Sequence, residues 1–211
     1  MWRLSKYSGL MMQHPLRCRC GTIQGFVKNP QRANRVVCYC RDCQAFARFL
    51  GSESETLDAR GGSEVIQVIP KDVIFNQGVD SLACLRLTDK GMIRWYAACC
   101  RTPIGNTLEN FKISFVGLLH DCLETADAPL QDSFGPVRSY VNPRGAIGDS
   151  KPKSAGMWTT VWWIISRIGK ARVSGDYKHT PFFRLDTGKA IVEPYVLSVD
   201  ERATAMRQPA H

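Results

Sequence analysis

The placement of the cysteines constrains this chain more than any other feature. Seven of the nine fall in three tight groups: Cys18 and Cys20 in RCRCG, Cys38, Cys40 and Cys43 in CYCRDC, and Cys99 with Cys100 in CCRTPIGN. An odd total excludes a fully paired disulfide scaffold within one chain. Thiols grouped this closely point instead to metal or redox sites, as in a reducing compartment. The trio in CYCRDC is too many thiols for one disulfide and one short of a closed tetrahedral metal site.

Structural zinc takes four tetrahedral ligands, with thiolates at about 2.3 Å. Paired cysteines on two separate knuckles build such a site with little backbone strain. Cys18 and Cys20, met by Cys99 and Cys100, would therefore close one zinc site. That leaves Cys38, Cys40 and Cys43 with a fourth position for water or a substrate sulfur, the arrangement expected of a catalytic zinc. An iron–sulfur cluster is the chemical rival, but this grouping matches none of its usual spacings. Cys84 sits in a strand pattern and reads as a small buried apolar residue. Cys122 is at most a marginal ligand. His120-Asp121 is the one pair with an acid/base pattern, against the plainer reading of a surface turn, and no Ser/His/Asp triad is evident.

The net charge of +9 is unevenly spread: +8 over residues 1–51, −5 over 52–137 and +6 over 138–211. The basic first segment suits a nucleic-acid or anionic-ligand surface, or else offsets thiolate charge through Arg17, Arg19, Arg41 and Arg101 beside the cysteines. The N-terminus lacks the apolar stretch of a secretory signal, and no window reaches the ~18 apolar residues of a membrane span. A cytoplasmic location is the resulting expectation.

Residues 1–11 read as a leader, with Met12 as an alternative start, and short strands dominate from Cys18 to about Leu119. EVIQVIP (64–70), ACLRLT (83–88) and KISFVGLLH (112–120) are the strand candidates. The second of these opens a hairpin that turns at Thr88–Gly91 and delivers Cys99 and Cys100 at its end. Asp42 is expected to cap a short helix running to Gly51. Beyond a proline-broken stretch, Ala155–Arg172 reads as a helix with Trp158, Val161, Trp162, Ile165 and Ile168 on one face. That stripe is expected to dock on the main domain, the alternative being an interfacial membrane or partner helix, while Trp163 falls among the polar residues. PFFRLDTGKAIVEPYVL (181–197) reads as a hairpin around Asp186-Thr187-Gly188.

CRCG (18–21), CYCRDCQ (38–44) and TPIGN (102–106) after a cysteine-bearing hairpin resemble the glutathione-dependent formaldehyde-activating enzyme family, which includes centromere protein V-like proteins. The resemblance covers roughly residues 13–120. It implies a mainly β fold of the β-tent type with two zincs per chain, one structural and one catalytic. By that analogy Cys18 and Cys20 are structural ligands, and Cys38, Cys40 and Cys43 catalytic ones. The chain departs from the family's CxxCGTP: Cys100 takes the second cysteine position, Ala97 the first, and Arg101 stands where the family has glycine. Cys99 is then the substitute ligand, provided the backbone turns sharply between it and Cys100.

The expected organisation is a leader (1–11), a zinc domain (12–125) and a helix-plus-hairpin C-terminal extension (126–211) packing on it. The expected function is a carbon–sulfur lyase-type zinc enzyme acting on a glutathione–aldehyde adduct or related thiol-bound small molecule. Glutathione is the expected co-substrate, with Arg41 and Arg48 as candidates to hold its carboxylates. A non-catalytic zinc module for protein or nucleic acid is the competing reading.

Overall fold

The structure, a computed structural model, describes residues 13–123, 127–148 and 151–207; the expected leader lies outside them. The described residues form a mixed but largely β fold. A three-stranded antiparallel sheet has the order β1 (Gln13–Arg17), β2 (Gln24–Lys28), β5 (Val73–Gln77). An eight-stranded sheet has the order β10-β3-β4-β9-β8-β7-β6-β11. Its six inner strands are antiparallel neighbours: β3 (Asn34–Cys38), β4 (Ser63–Val68), β9 (Val116–Leu119), β8 (Pro103–Thr107), β7 (Ile93–Ala97) and β6 (Leu82–Arg86). Both edges come from the C-terminal third and pair in parallel: β10 (Ser139–Val141) on β3, and β11 (Tyr195–Val196) on β6. Five helices accompany the sheets: α1 (Arg41–Leu50), α2 (Glu53–Thr56), α3 (Leu130–Phe134), α4 (Met157–Ser174) and α5 (Val199–Met206).

The local chemistry explains these placements. In β1 the pattern QHPLR turns His14 and Leu16 inward, and Pro15 is tolerated because β1 is an edge strand. β4 and β8 lie inside the large sheet and are buried along nearly their whole length, so neither shows the in–out alternation of a half-exposed strand. The main core joins the two sheets around Trp95, whose indole N–H donates to Thr107 Oγ1 at 2.9 Å. Phe182 packs on the Trp95 ring at 5.1 Å, and Phe183 belongs to the same core. The C-terminal third thus supplies sheet edges and core side chains.

Four sequence expectations are corrected. The strand in 112–120 begins only at Val116, because its partner on β4 ends at Val68, opposite Val116. The N-cap of α1 is Cys40, whose Sγ accepts from the Cys43 N–H, while Asp42 lies within the first turn. The apolar stripe of α4 does not dock. Trp158, Trp162 and Ile165 are 85, 73 and 59% exposed, whereas Thr160 and Ala171 are buried. Hydrogen bonding decides the orientation. Thr160 Oγ1 joins the buried Ser139 hydroxyl at 2.6 Å and accepts from Asn34 Nδ2 at 3.2 Å, while Trp163 donates to the Arg32 carbonyl at 3.2 Å. The expected 181–197 hairpin reduces to a Phe183–Ala190 bridge closed around Asp186–Gly188, followed by β11.

His14 ties the first strand to α3. Its Nε2–H donates to the Leu123 carbonyl at 2.8 Å, Nδ1 accepts from the Ser133 hydroxyl at 2.9 Å, and the ring lies 4.5 Å from Phe134. Burial holds its pKa below 6.5, the Leu123 hydrogen bond notwithstanding. The unfolded chain therefore binds the proton at higher pH, and the stability gained from neutral His14 is lost as pH falls through about 6.5. Denaturant titrations at about pH 7.5 and about pH 5.5 should show a lower midpoint at the acidic pH, and His14→Gln should lose that component. An unchanged pH dependence in the variant would contradict this role.

Candidate metal centres

The three sequence groups fold into two clusters. The sulfurs of Cys18, Cys20, Cys99 and Cys100 lie within 4.8 Å of one another, as do those of Cys38, Cys40 and Cys43. Either set could hold a metal ion. In the larger cluster, sulfur–sulfur distances of 3.5 Å (Cys18–Cys20), 3.8 Å (Cys18–Cys99), 3.3 Å (Cys20–Cys99) and 3.8 Å (Cys99–Cys100) approach the ~3.8 Å edge of a tetrahedron with 2.3 Å zinc–sulfur bonds. The donor set therefore fits zinc.

The sharp turn needed between the adjacent cysteines is present. After β7, Arg101 N–H donates to the Ala97 carbonyl at 2.7 Å and Ala97 N–H to the Thr102 carbonyl at 2.9 Å, so residues 98–100 form a tight turn. Arg101 takes a left-handed conformation (φ 57°) at the position where glycine would be unstrained. Its guanidinium offsets that cost by donating to the carbonyls of Phe49 and Leu50 at the C-terminal end of α1, and it lies 5.3 Å from the Phe49 ring centre. On the opposite knuckle, the Ile23 N–H donates to Cys18 Sγ at 3.2 Å. The Thr22 hydroxyl lies 3.2 Å from Cys20 Sγ, and hydrogen bonding to Thr22 holds that thiol down at about 6. Burial raises Cys18, and it pushes Cys99 up to about 12. Cys100 is lowered: burial acts to raise it, but hydrogen bonds with the Thr102 hydroxyl at 3.0 Å and with the backbone of Cys20 and Thr102 together outweigh that.

The trio is built by a strand running into a helix. Cys38 ends β3, Cys40 caps α1 and Cys43 sits in its first turn, where the helix dipole favours a thiolate. Cys43 lies well below its ordinary value because of hydrogen bonds with Cys38 and Cys40, reinforced by the charge of Arg94. Cys40 is raised through its hydrogen bond with Cys38. Cys38 is pushed up to about 11: its bond with Cys40 lowers it, but the bond with Cys43 and burial outweigh that.

Two flanking residues escaped the sequence reading. Arg94, buried on β7, directs Nη1 toward Cys43 Sγ at 3.9 Å and donates to Asn106 Oδ1 at 3.1 Å, while Nη2 lies 3.6 Å from Asp42. Asn142, directly after β10, donates through Nδ2 to Cys38 Sγ at 3.3 Å. Neither is near the trio in sequence. The only signal was a charged residue at an inward position of a strand. The C-terminal third also braces the CYCRDC loop. Tyr39 N–H donates to the Val141 carbonyl at 3.0 Å, and Gln44 Nε2 donates to the Gly145 carbonyl at 2.9 Å. A Cβ at Gly145 would lie 2.1 Å from the Tyr39 carbonyl oxygen, so only glycine permits this approach.

The remaining sequence candidates lie elsewhere. Arg48 is engaged within the fold, donating to Glu53 Oε1 at 2.8 Å, the Ala205 carbonyl at 3.1 Å and Gln44 Oε1 at 3.3 Å. Arg41 is exposed and lines a cavity of about 550 Å³ together with Arg202, Leu87 and Met206. Cys84 is a core residue whose thiol donates to the Val192 carbonyl at 3.3 Å, and burial pushes it up to about 12. Cys122 is likewise buried, bonded to the Leu119 and Ile104 carbonyls at 3.2 and 3.4 Å, and belongs to neither cluster. His120 donates through Nε2 to the Glu55 carbonyl at 3.1 Å and faces Asp121 at 3.6 Å. Nδ1 is buried without a hydrogen bond.

Zinc-reconstituted protein should contain about two metal equivalents per chain, falling to about one in Cys99→Ser or Cys43→Ser and staying at two in Cys84→Ser. Elemental analysis after gel filtration checks this; full retention in both ligand variants would refute the assignment. Arg94→Gln and Asn142→Ala should each weaken metal binding at the trio by on the order of tenfold and leave the four-cysteine site unaffected. Competition with a chromophoric chelator reads the two sites separately.

No curated protein matches the chain. The model of a family of unknown function (DUF6151) matches residues 10–193, and the chain belongs to that family.

Proposed function

We propose that this protein is a zinc-dependent enzyme of the carbon–sulfur lyase type, with the β-tent two-zinc fold of the formaldehyde-activating enzymes. Its substrate would be a glutathione–aldehyde adduct or a related thiol-bound small molecule. The observation that carries the reading is the division of labour among the cysteines. Cys18, Cys20, Cys99 and Cys100 make up a full tetrahedral set by themselves, so Cys38, Cys40 and Cys43 need not share a protein ligand with them.

A zinc ion held by the trio would supply Lewis acidity and a coordination position for a substrate sulfur. The protein's own groups support that chemistry. Arg94 balances negative charge at Cys43, and Asn142 orients Cys38 by donating to its sulfur. Arg41, free of the internal contacts that occupy Arg48, is the cation offered to a substrate carboxylate. In the forming direction a carbon–sulfur bond joins the thiol to the aldehyde carbon, and the thiol proton ends on the former carbonyl oxygen. The reaction needs no oxidant or reductant. It suits a reducing compartment such as the cytoplasm.

A second reading, a zinc module without turnover, draws on the cover over the trio: Cys38 and Cys43 are buried beneath β10 and Asn142. Exchange NMR on formaldehyde and glutathione separates the two. The enzyme reading expects the zinc-loaded protein to speed formation of S-hydroxymethylglutathione above the spontaneous rate. Cys43→Ser should abolish the acceleration and Cys84→Ser should keep it. Spontaneous rates with both zincs bound would sink the enzyme reading for this substrate pair and favour the module.

A further inference from the structure

We propose that the outward face of α4 seats this protein on an anionic membrane surface. Trp158, Val161, Trp162 and Ile165 follow the i, i+3, i+4, i+7 spacing of a single helix face, and they are 85, 37, 73 and 59% exposed. Two largely exposed tryptophans on one face are unusual, because this side chain buries a large area in cores or in interfaces. Their exposure here is not a packing failure. The opposite side of α4 is fixed by Thr160, Trp163 and Ala171, so the face is held outward by hydrogen bonds and packing.

Charge identifies the partner. Residues 151–175 carry five basic side chains and no acidic one. Lys153 precedes the helix, Arg172 continues the Trp158–Ile165 line at seven-residue spacing, and Lys170 stands on the polar side of the same helix; all three are exposed. A tryptophan-bearing apolar stripe rimmed by Lys and Arg has the composition of a helix lying in a membrane interface, where indole rings favour the headgroup level and cations meet anionic lipids. A second copy of the same face would bring two acid-free basic rims together and is disfavoured by that repulsion. Among the described residues no helix is long and apolar enough to cross a membrane, so the attachment is peripheral.

The test uses the full zinc-loaded chain and vesicles of phosphatidylcholine with or without phosphatidylserine. Sedimentation should show binding to the phosphatidylserine vesicles, little to phosphatidylcholine alone, and release by salt. Lipids brominated in the acyl chain should quench tryptophan emission. The Trp158→Ala/Trp162→Ala double variant should bind on the order of tenfold or more weakly and lose the quenching. Lys153→Ala/Arg172→Ala should weaken binding by on the order of tenfold. These side chains are exposed, so unchanged circular dichroism and metal content would show that the variants stay folded. No binding to phosphatidylserine vesicles overturns the proposal, as does binding that the tryptophan variant leaves unchanged. A concentration-dependent dimer abolished by that variant, or nucleic-acid binding that depends on both tryptophans, would assign the face to another partner and equally overturn it.

Discussion

Helix α1 is the element on which both cysteine clusters depend. Its N-terminal end is made by cluster residues: Cys40 is the cap and Cys43 sits in the first turn. Its C-terminal end is held by Arg101, which stands directly after Cys100 and donates to the Phe49 and Leu50 carbonyls. One short helix thereby joins the trio to the four-cysteine knuckle. The strained left-handed backbone at Arg101 persists because the guanidinium satisfies carbonyls that a helix end leaves without partners. The same turn brings Cys99 and Cys100 onto one cluster.

Around the trio, charge is handled by residues far away in sequence. A three-thiolate site carries a net negative charge once metal is bound, and a buried anion needs a partner. Arg94 meets that need from the start of β7, itself held by Asn106 and Asp42 and stacked 5.6 Å from the Phe46 ring. Arginine suits the role because its planar, always-charged fork serves several acceptors at once. Asn142 adds a neutral donor from the opposite side. The C-terminal third therefore takes part in the site, as well as bounding the large sheet at both edges.

The cysteine grouping was fully legible in the sequence, because ligand spacing on a knuckle or at a helix start is a local property. The hairpin carrying Cys99 and Cys100 was legible for the same reason, through the alternation in ACLRLT and the turn at Thr88–Gly91. The partners of those cysteines were not. Arg94 and Asn142 reach the trio only through strand pairing, which local pattern does not encode. Arg48 shows the converse: it stands close to the trio in sequence, yet its side chain is spent on Glu53, Gln44 and α5. In α4 the apolar periodicity was real, but its direction was misread. The buried Thr160–Ser139–Asn34 hydrogen bonds fix that side of the helix inward and leave the stripe facing out.

The central claim is one closed four-thiolate site and one three-thiolate site with a position left for a substrate sulfur. Zinc K-edge X-ray absorption on the two-zinc protein tests it most directly. An average of about three and a half sulfur ligands per zinc at about 2.3 Å is expected, rising toward four when glutathione is added. An average already at four before any thiol is added, or one that glutathione leaves unchanged, would contradict an open trio.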